Sequence, residues 1–415
     1  MYNKIMHIYG LITTVLFILL LPFIYIIRAI NGKFLYGWKS KLGFFTNPAL
    51  GNQVIMYHGV SVGEVIALEN LIKKTKETFP DYKIVVTTGT KTGQEIAQKK
   101  YAQIADFITY FPFDIPFCVN RFLDKINPTV VLIAETELWP TFAYLCKKKN
   151  IPLYIINGRI SDSTYNTYKF FKCFFKNILG FYSGIYTQSE YDNQKLINIG
   201  APSLSTCVMK NLKFDVKKSA ETVNMGKGRI IIAGSTHQGE DEIIIDIFKA
   251  LKKEFPDIKL LLVPRHLNRT SHTCELAQKT GLQYGLRSNN DNFDEKDIIV
   301  LDTMGELGKM YQICTFAFIG GSFNNTGGHN PLESVVYSKP VISGPSIHNF
   351  RDIYGILSRT NAGKVVKSPE ELKEYMQKLL SDSAFYEQAC KDCKTVFNDQ
   401  QGALEFVIDK LKQIL

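Results

Sequence analysis

The amino-acid sequence predicts an α/β protein in which two doubly wound parallel sheets follow one N-terminal membrane helix. Three observations support this fold class. The N-terminal segment is uncharged, short apolar runs then alternate with helical stretches, and the alternation starts again after a polar stretch near the middle. Strands that alternate with helices are typical of βαβ units and hence of parallel sheets. A length of 415 residues also favours two domains over one hydrophobic core.

The N-terminal segment from Ile8 to Ile27 contains no charged residue. A helix of this length spans roughly 30 Å, which matches the hydrocarbon core of a bilayer. The alternative is a cleaved signal peptide, but its apolar region is usually shorter and no small-residue cleavage site follows. One lysine precedes the segment and four cations follow it: Lys4, then Arg28, Lys33, Lys39 and Lys41. The positive-inside rule therefore predicts a single-pass anchor at 1–30, with the rest of the chain in the cytoplasm.

The predicted strands fall into two groups separated by a linker. The first group is Val54–Tyr57, Lys83–Thr88, Val130–Ala134, Leu153–Asn157 and Gly184–Gln188. The second group is Arg229–Ala233, Lys259–Pro264, Ile298–Leu301, Phe316–Ile319 and Pro340–Ile342. We therefore expect Rossmann-like domains at 31–215 and 229–395, a linker at 216–228 and a final helix at 396–415. Ligands of such sheets bind at the carboxyl ends of the strands, which predicts a cleft between the domains.

Composition narrows the class of protein further. The 45% of hydrophobic and 21% of charged residues argue against extended disorder. A net charge of +10 favours anionic partners, namely nucleic acid, phosphorylated sugars or anionic lipid. No nucleic-acid-binding motif is present, so we expect no nucleic-acid partner. Of the eight cysteines only Cys390 and Cys393 are close together, and this single pair predicts ordinary packing rather than a metal site.

Three polar motifs follow predicted strands of the first half. Ser61 and Glu64 form an S-x-x-E capping box, so Glu64 is either a helix cap or a general base. Glu135 and Glu137 share one face of an extended chain, either in a local ion pair or as functional carboxylates. Lys213 is either solvated or reaches a phosphate or carboxylate. The chain contains no D-x-D sequence, so no divalent metal site is predicted.

The second half contains several turns that lead from a strand into a helix. They are Ser235–Gln238, Pro264–His266, Asp302–Leu307, Gly320–Ser322 and Gly327–Glu333. In the last of these, Asn330 suits a helix N-cap, Pro331 the first helical position and Glu333 the third. The segment is either a capped glycine-rich loop or a nucleotide site, in which backbone N–H groups bind phosphate and Glu333 binds ribose hydroxyls.

These motifs together resemble the 3-deoxy-D-manno-octulosonic acid (Kdo) transferase family, from the N-terminal anchor to Asp352. The matching strings are HGVSVGEV, TTGTKTGQEIA, ETELWP, INGRISDS, NLKFD, AGSTHQGE, LLVPRH, LDTMGEL, FIGGSFNNTGGHNPLE and SGPSIHNFRDI. Their order and spacing make the resemblance specific. One departure is Met209-Lys210, which precedes NLKFD where the family usually has Thr-Gly. The turn that leads to Lys213 is therefore expected to differ.

The resemblance implies a GT-B fold, in which two Rossmann-like domains face each other across a cleft. It implies an inverting, metal-independent glycosyltransferase without a cofactor, which moves Kdo from CMP-Kdo to lipid A precursor (lipid IVA) in lipopolysaccharide core biosynthesis. Its partners are then this donor, this acceptor and the membrane. Glu64 is implied to be the general base, and Glu135 and Lys213 to support the transition state. The implied CMP-binding residues are Pro264, Arg265, Met304, Gly305, Glu306, Asn330, Pro331, Leu332 and Glu333.

Two other functions are compatible with the residues alone. Another GT-B transferase would use a UDP- or GDP-sugar and would be protected by UDP rather than CMP. A membrane-tethered binding protein would have no activity, and its glutamates would serve only as helix caps. Within the implied family, the same motifs are compatible with transfer of one, two or more Kdo residues.

Overall fold

The computed structural model describes residues 2–31 and 37–415, with only the backbone for residues 2–4, 24–25 and 27–31. The chain forms two compact units. Unit 1 comprises Met1–Asp215 and Gln401–Leu415, and unit 2 comprises Val216–Gln400. Lys33, which the orientation argument uses, lies outside the described residues, as do the side chains of Lys4 and Arg28.

Unit 1 is built on a parallel sheet of seven strands among its described residues, in the order β3-β2-β1-β4-β5-β6-β7. The strands are β1 (Val54–Gly59), β2 (Lys83–Thr88), β3 (Phe107–Tyr110), β4 (Val130–Ala134), β5 (Leu153–Gly158), β6 (Gly184–Thr187) and β7 (Thr206–Val208). The helices are α1 (Tyr2–Asn31), α2 (Trp38–Lys41), α3 (Val62–Ala67), α4 (Glu69–Thr78), α5 (Lys91–Tyr101), α6 (Pro116–Ile126), α7 (Pro140–Lys148), α8 (Asp162–Phe170), α9 (Lys172–Leu179) and α10 (Glu190–Ile199).

Unit 2 repeats this architecture with a second parallel sheet, in the order β10-β11-β9-β8-β12-β13-β14. Its strands are β8 (Arg229–Thr236), β9 (Ile258–Pro264), β10 (Tyr284–Leu286), β11 (Ile298–Val300), β12 (Cys314–Ile319), β13 (Val341–Ser343) and β14 (Gly363–Val365). Its helices are α11 (Glu240–Glu254), α12 (Thr270–Lys279), α13 (Leu307–Met310), α14 (Leu332–Val335), α15 (Arg351–Leu357), α16 (Pro369–Ser381) and α17 (Ser383–Gln400), and α18 (Ala403–Ile414) returns to unit 1.

Both sheets have a topological switch point, where the strand order changes direction. In unit 1 it lies between β1 and β4, and in unit 2 between β8 and β12. The central strands are buried on both faces: along β1, Val54 and Met56 join one hydrophobic cluster, whereas Ile55 and Tyr57 join the other. Loops at the carboxyl ends of strands beside a switch point form the crevice in which doubly wound sheets bind ligands. These two crevices are therefore where functional side chains are expected.

The ten strands predicted from the sequence are the ten interior strands of the two sheets, with ends that shift by three residues or fewer. The four strands that the prediction missed are β3, β7, β10 and β14, which lie at the sheet edges. Two of the expected boundaries also differ. The cut at 395/396 falls inside α17, which continues to Gln400, and the linker residues from Val216 onward belong to unit 2.

The N-terminal helix α1 is long and apolar enough to cross a membrane, over Ile5–Phe23 at a mean hydropathy of 2.1. The described side chains divide it into two faces. One face is exposed and apolar, with Ile8, Leu11, Val15 and Leu19 among its residues. Such a surface is suited to lipid.

The other face of α1 packs against unit 1 through a stripe of residues spaced three or four apart. A Cβ added to Gly10 would lie 2.9 Å from Cγ of Pro116, so this glycine allows a close approach. Further along the stripe, the ring of Phe17 stacks on Trp38 with centroids 6.0 Å apart. The described part of α1 is therefore packed against the rest of unit 1.

Candidate functional site

Glu64 lies in the first turn of α3, directly after the switch-point strand β1. Its Oε2 accepts a hydrogen bond from the Val60 N–H at 2.6 Å, and its Oε1 accepts one from the Ser61 hydroxyl at 2.7 Å. Ser61 is the N-cap residue but donates to Glu64 instead of accepting from the helix backbone. The predicted capping box is thus only half formed, because the serine hydroxyl serves the carboxylate. Glu64 is 7% exposed, and burial raises its pKa, with a smaller contribution from Glu135.

Glu135 is the first residue after β4, the other switch-point strand. Its φ of 57° is in the left-handed region, which non-glycine residues rarely adopt outside turns and functional sites. Its carboxylate forms an ion pair with the Arg159 guanidinium at 3.5 Å. The backbone N–H of Arg159 donates to the Thr136 hydroxyl at 2.9 Å. The structure therefore brings Glu135 close to Glu64 electrostatically and pairs it with a cation that the sequence analysis did not single out.

Glu137 completes a group of three carboxylates at this switch point. Burial raises the pKa of Glu137 to about 7, and the negative charges of Glu64 and Glu135 contribute to the shift. A carboxyl group with a pKa near neutrality can both accept and release a proton under physiological conditions. The sequence analysis named Glu137 but gave it no role, because its environment depends on chain segments that only the fold brings together.

Lys213 lies in a short 3₁₀ helix, Leu212–Phe214, after the edge strand β7. Two strands, β5 and β6, lie between β7 and β4, but the segment after β7 reaches back to β5, because Leu212 contacts Asn157 at the end of that strand. The turn before it is held by side-chain amides. Asn157 Oδ1 accepts from Leu212 N–H at 3.0 Å, and Asn211 Oδ1 accepts from Lys213 N–H at 3.0 Å. These amides fix the start of the helix that carries Lys213.

Lys210 adopts a φ of 72° just before this helix. It occupies the position where the sequence departs from the family's usual glycine. A glycine adopts this conformation without steric cost, whereas a lysine does not. The expected difference in this turn is therefore one of strain, because the chain keeps a glycine-like backbone path.

Imidazole rings gather at the switch point of unit 2. His237 follows β8 and His329 lies in the loop after β12. Their Nε2 atoms are 3.0 Å apart, and their rings are nearly parallel, with an interplanar angle of 11°. His266, after β9, lies edge-on to His237 at 5.7 Å between centroids. Burial lowers the pKa of His329 to about 4, and the nearby Arg265, His237 and His266 add to the shift.

Glu240 joins the two loops that carry these rings. It is 1% exposed, and its two carboxylate oxygens accept four backbone N–H groups at 2.7–2.9 Å: those of His237, Gly321, Ser322 and Phe323. Three of these donors belong to the glycine-rich loop after β12. Since hydrogen bonds to an ionised group are roughly twice as strong as neutral ones, Glu240 holds the two loops firmly together. The sequence analysis missed this residue, although a glutamate in the first turn of a helix is a recognisable signal.

The segments predicted to bind CMP converge only in part. A cavity of about 310 Å³ in unit 2 is lined by Gly305 and Glu333, with the first residues of unit 2 on another side. Burial raises the pKa of Glu333, whereas Asn330 and Arg265 act in the opposite direction. Asn330 Oδ1 accepts from Leu332 N–H at 3.1 Å, as an N-cap does, but α14 has only four residues. The predicted helix start is thus present, with a smaller helix dipole behind it than expected.

The remaining predicted CMP-binding residues differ in how accessible they are. Met304 is 74% exposed beside Gly305, whose φ is 81°. The Glu306 carboxylate is already engaged by Thr303, Arg287 and Lys309, and the Thr303 hydroxyl is the main cause of its lowered pKa. Glu306 therefore supports this loop, and Gly305 and Glu333 are the predicted CMP-binding residues that line the cavity.

Two doubly wound units, each with polar side chains at its switch point, define a GT-B protein. Solved structures agree on this fold. A UDP-GlcNAc 2-epimerase from Neisseria meningitidis matches with a TM-score of 0.54 at 12% identity, covering 87% of this chain and 99% of that one. A glycosyltransferase of kitacinnamycin matches with a TM-score of 0.50 at 13% identity, covering 87% and 99%. These likenesses confirm the predicted fold class.

Relatives in sequence identify the family. A model described as 3-deoxy-D-manno-octulosonic-acid transferase (kdotransferase) matches residues 36–216. A 3-deoxy-D-manno-octulosonic acid transferase of Haemophilus influenzae is 32% identical over 409 residues, 96% of each chain. One of Chlamydia muridarum is 30% identical over 85% of this chain and 84% of its own. The chain belongs to the 3-deoxy-D-manno-octulosonic acid transferase family, which confirms the resemblance found in the sequence.

Proposed function

We propose that this protein transfers Kdo from CMP-Kdo to a lipid A precursor, lipid IVA, with inversion at the anomeric carbon and without a metal ion. Family membership supports the class of reaction. The single observation that carries the mechanism is Glu64, a buried carboxylate with a raised pKa beside the switch point of unit 1. The proposal assigns the chemistry of the acceptor to unit 1 and that of the donor to unit 2.

Glu64 acts as general base in this proposal. It takes the proton from a sugar hydroxyl of the acceptor while that oxygen attacks the anomeric carbon, and the electron pair of the breaking bond leaves with CMP. Each carboxylate oxygen has two lone pairs and accepts one hydrogen bond here, so Glu64 keeps acceptor capacity for a substrate hydroxyl. A raised pKa also makes the carboxylate a stronger base than an ordinary glutamate.

Glu135 and Lys213 support the transition state in this proposal. Glu135 contributes to the raised pKa of Glu64 and holds Arg159, which keeps a cation at the switch point. Lys213 is held by amide contacts near the end of β5, where it can neutralise negative charge on a bound substrate. The two residues thus serve different parts of the reaction.

The donor binds to unit 2 in this proposal. Pro264, Arg265, Met304–Glu306 and Asn330–Glu333 contact CMP, and the cavity beside Gly305 and Glu333 receives its nucleoside part. The phosphate gains negative charge as it leaves, and Arg265 lies exposed after β9 to meet it. This cation and the absence of a D-x-D sequence favour a reaction that needs no metal. Undiminished turnover in excess EDTA is the expected result, and a loss restored by Mg²⁺ would contradict it.

The exposed apolar face of α1 supports a location at the inner membrane, with both units on the cytoplasmic side. The docked face adds a condition to this proposal. Removal of residues 1–30 uncovers Pro116, Trp38 and neighbouring rings of unit 1. We expect the truncated enzyme to remain active on detergent-dispersed acceptor, because every residue proposed for the reaction lies beyond Val54 in the sequence.

Glu64→Gln tests the mechanism. Glutamine keeps the size of the side chain but does not accept a proton at neutral pH, so turnover should fall roughly 10²–10⁴-fold. CMP affinity should stay near wild type, since the proposed donor residues belong to unit 2. Glu95→Gln, an exposed carboxylate on α5, is the matched control and should retain full turnover.

The measurement is turnover of CMP-Kdo with lipid IVA, together with CMP binding and a melting curve for each variant. Near-wild-type turnover in Glu64→Gln would rule out Glu64 as the base. Equal loss of CMP affinity and turnover would assign it a donor-binding or structural role instead. Protection of the enzyme by UDP but not by CMP would show that the donor is a UDP-sugar and not CMP-Kdo.

A further inference from the structure

We propose that the histidines at the switch point of unit 2, His237, His266 and His329, form an anion-binding site that takes up a proton when the anion binds. The anion is a phosphate or a carboxylate, and the donor proposed above carries both. The inference therefore rests on the proposed function but also predicts binding of inorganic phosphate, which does not depend on it.

The geometry of the histidine pair comes first. With 3.0 Å between the Nε2 atoms of His237 and His329, one of them carries a hydrogen and the other accepts it. The pair therefore holds one shared proton at Nε2 in its neutral state. A second proton at the accepting Nε2 would leave two N–H donors facing each other, so the contact between them would break and both could turn to one acceptor placed between or above the rings.

The surrounding charges explain why the pair is neutral without an anion. Arg265 and His266 follow β9 and lie close enough to lower the pKa of both histidines, and Arg269 lowers that of His237. Arg269 is itself paired with the buried Asp241. No hydrogen bond or ion pair joins the Arg265 guanidinium to another side chain in the described part of the protein. Positive charge thus surrounds a pair that would gain a proton only if negative charge arrived.

The nearby carboxylates do not fill that role. Glu240 raises the pKa of His237, but its oxygens are occupied by four backbone N–H groups of the two loops. Glu333 faces Arg265 and lines the cavity beside Gly305. On the side of the loop after β13, His348 lies against Gly327, where a Cβ would be 2.3 Å from its Nε2. The described carboxylates around the pair therefore have other partners, and the place of a counter-anion beside the two rings is left to a ligand.

Binding and protonation are coupled under these conditions. An anion within about 4–6 Å typically raises the pKa of a histidine by 1–3 units, so a neutral pair becomes a cationic one as the ligand enters. By linkage, affinity for the anion rises as the pH falls, approaching tenfold per pH unit while one proton is taken up. The switch point of unit 2 then gains positive charge when the donor binds and loses it when the product leaves.

The test measures proton uptake by the full-length protein in detergent. Calorimetric titration with CMP near pH 6.5, in buffers of different ionisation enthalpy, gives the number of protons taken up per ligand bound. Cytidine, inorganic phosphate and free Kdo are the comparison ligands. Uptake with CMP and phosphate but not cytidine assigns the site to the phosphate, whereas uptake with Kdo alone assigns it to the carboxylate; either outcome supports the inference.

Variants separate proton uptake by this site from proton uptake elsewhere in the protein. His329→Gln should abolish the uptake. His272→Gln should leave it unchanged, because His272 is an exposed residue of α12 that pairs with Glu242. CMP binding without proton uptake in the wild-type protein would overturn the inference and leave the proposed function intact. If CMP does not bind, the proposed donor is wrong, and a second measurement decides the inference: the histidine pKa values are followed by NMR with and without inorganic phosphate. Unchanged pKa values overturn the inference, and pKa values that rise with phosphate support it.

Discussion

Three carboxylates follow the central strands at the switch point of unit 1, whereas imidazole and guanidinium groups follow the central strands at the switch point of unit 2. The two sheets share most of their strand order, although β11 lies between β9 and β10 in unit 2, and the pKa values at the two switch points shift in opposite directions. Burial and mutual repulsion raise the pKa of Glu64 and of Glu137, and burial with nearby cations lowers that of His329. In both places the folded protein favours the neutral form of the groups whose pKa is shifted, namely Glu64, Glu137 and His329. This difference matches the proposed roles, in which one crevice accepts a proton from a substrate and the other binds a negatively charged ligand.

The two crevices also differ in how their backbones turn. In unit 1, non-glycine residues adopt a positive φ just after strands, at Glu135 and Lys210, and Asn157 does so near the end of β5. In unit 2, glycines such as Gly321 and Gly327 supply most of these turns. Glycine lets a ligand approach the backbone, whereas a larger residue in the same conformation places a side chain at the turn and stores strain. The turns after the strands of unit 1 therefore carry side chains, whereas most of those in unit 2 leave the backbone accessible.

The largest effect is expected at Glu240, the carboxylate that unit 2 uses only for structure. Glu240→Gln replaces one acceptor oxygen by an amide group that faces backbone N–H donors. Each donor left unpaired should lower the free energy of unfolding by roughly 1–3 kcal/mol. Chemical denaturation measures this, and Glu242→Gln, on the same helix and 39% exposed, is the control. Equal stability of the two variants would mean that Glu240 does not hold the loops together.

A second effect separates the carboxylates of unit 1. Glu137→Gln removes a group whose pKa is about 7, so the ionisation near pH 7 should disappear from the pH profile of turnover. The acid limb that remains should move to lower pH, because Glu64 loses a negative neighbour. An unchanged profile would show that Glu137 titrates independently of the reaction.

The same variant has a consequence for stability. The folded pKa of Glu137 lies above the usual value of about 4.3 for a glutamate in an unfolded chain. The unfolded state therefore releases this proton first, and the free energy of unfolding falls as the pH rises from about 4 to 7. Denaturation of Glu137→Gln across this range should show a weaker fall than the wild-type protein.

A third effect concerns the Ser61 hydroxyl, which donates to Glu64 instead of accepting from the backbone of α3. The Ser61 hydrogen bond lowers the pKa of Glu64, so Ser61→Ala should raise that pKa and move the acid limb of the turnover profile to higher pH. The direction of the shift follows from the loss of a hydrogen bond to the charged form of Glu64. Ser163→Ala, on the exposed surface of α8, should leave the profile in place. A shift to lower pH would contradict the assigned contact.

The smallest effect tests the strained turn of unit 1. Lys210→Gly should raise the free energy of unfolding by about 0.5–1 kcal/mol, because relief of the left-handed backbone outweighs the added entropy of the unfolded chain. Lys217→Gly, at a position without a positive φ, should give no gain. Destabilisation by Lys210→Gly would show that the lysine side chain contributes more than its backbone costs.

The sequence predicts the interior of this fold better than its edges, for a physical reason. Interior strands of a parallel sheet are buried on both faces and appear as continuous apolar runs, as in Val130–Ala134. Edge strands such as Thr206–Val208 have three or four residues with partly exposed side chains, and so lack that pattern. The same limit applies to the sites. Glu64 and Glu135 follow strong strands, whereas the contact between His237 and His329 joins residues 92 positions apart.

Asp215 is the last residue of the first stretch of unit 1, and its carboxylate accepts the N–H groups of Gly402 and Leu404, where the chain returns. The chain therefore leaves and re-enters unit 1 at one place, so that unit 2 is an insertion within unit 1 rather than a sequel to it. Insertions with adjacent ends can be exchanged with little disturbance to their host. The residues 216–400 can in principle be replaced by the corresponding segment of a relative, joined at Asp215 and Gly402. If the proposed function holds, such a chimera would change donor recognition alone, because the proposed base Glu64, helix α1 and helix α18 all remain in unit 1.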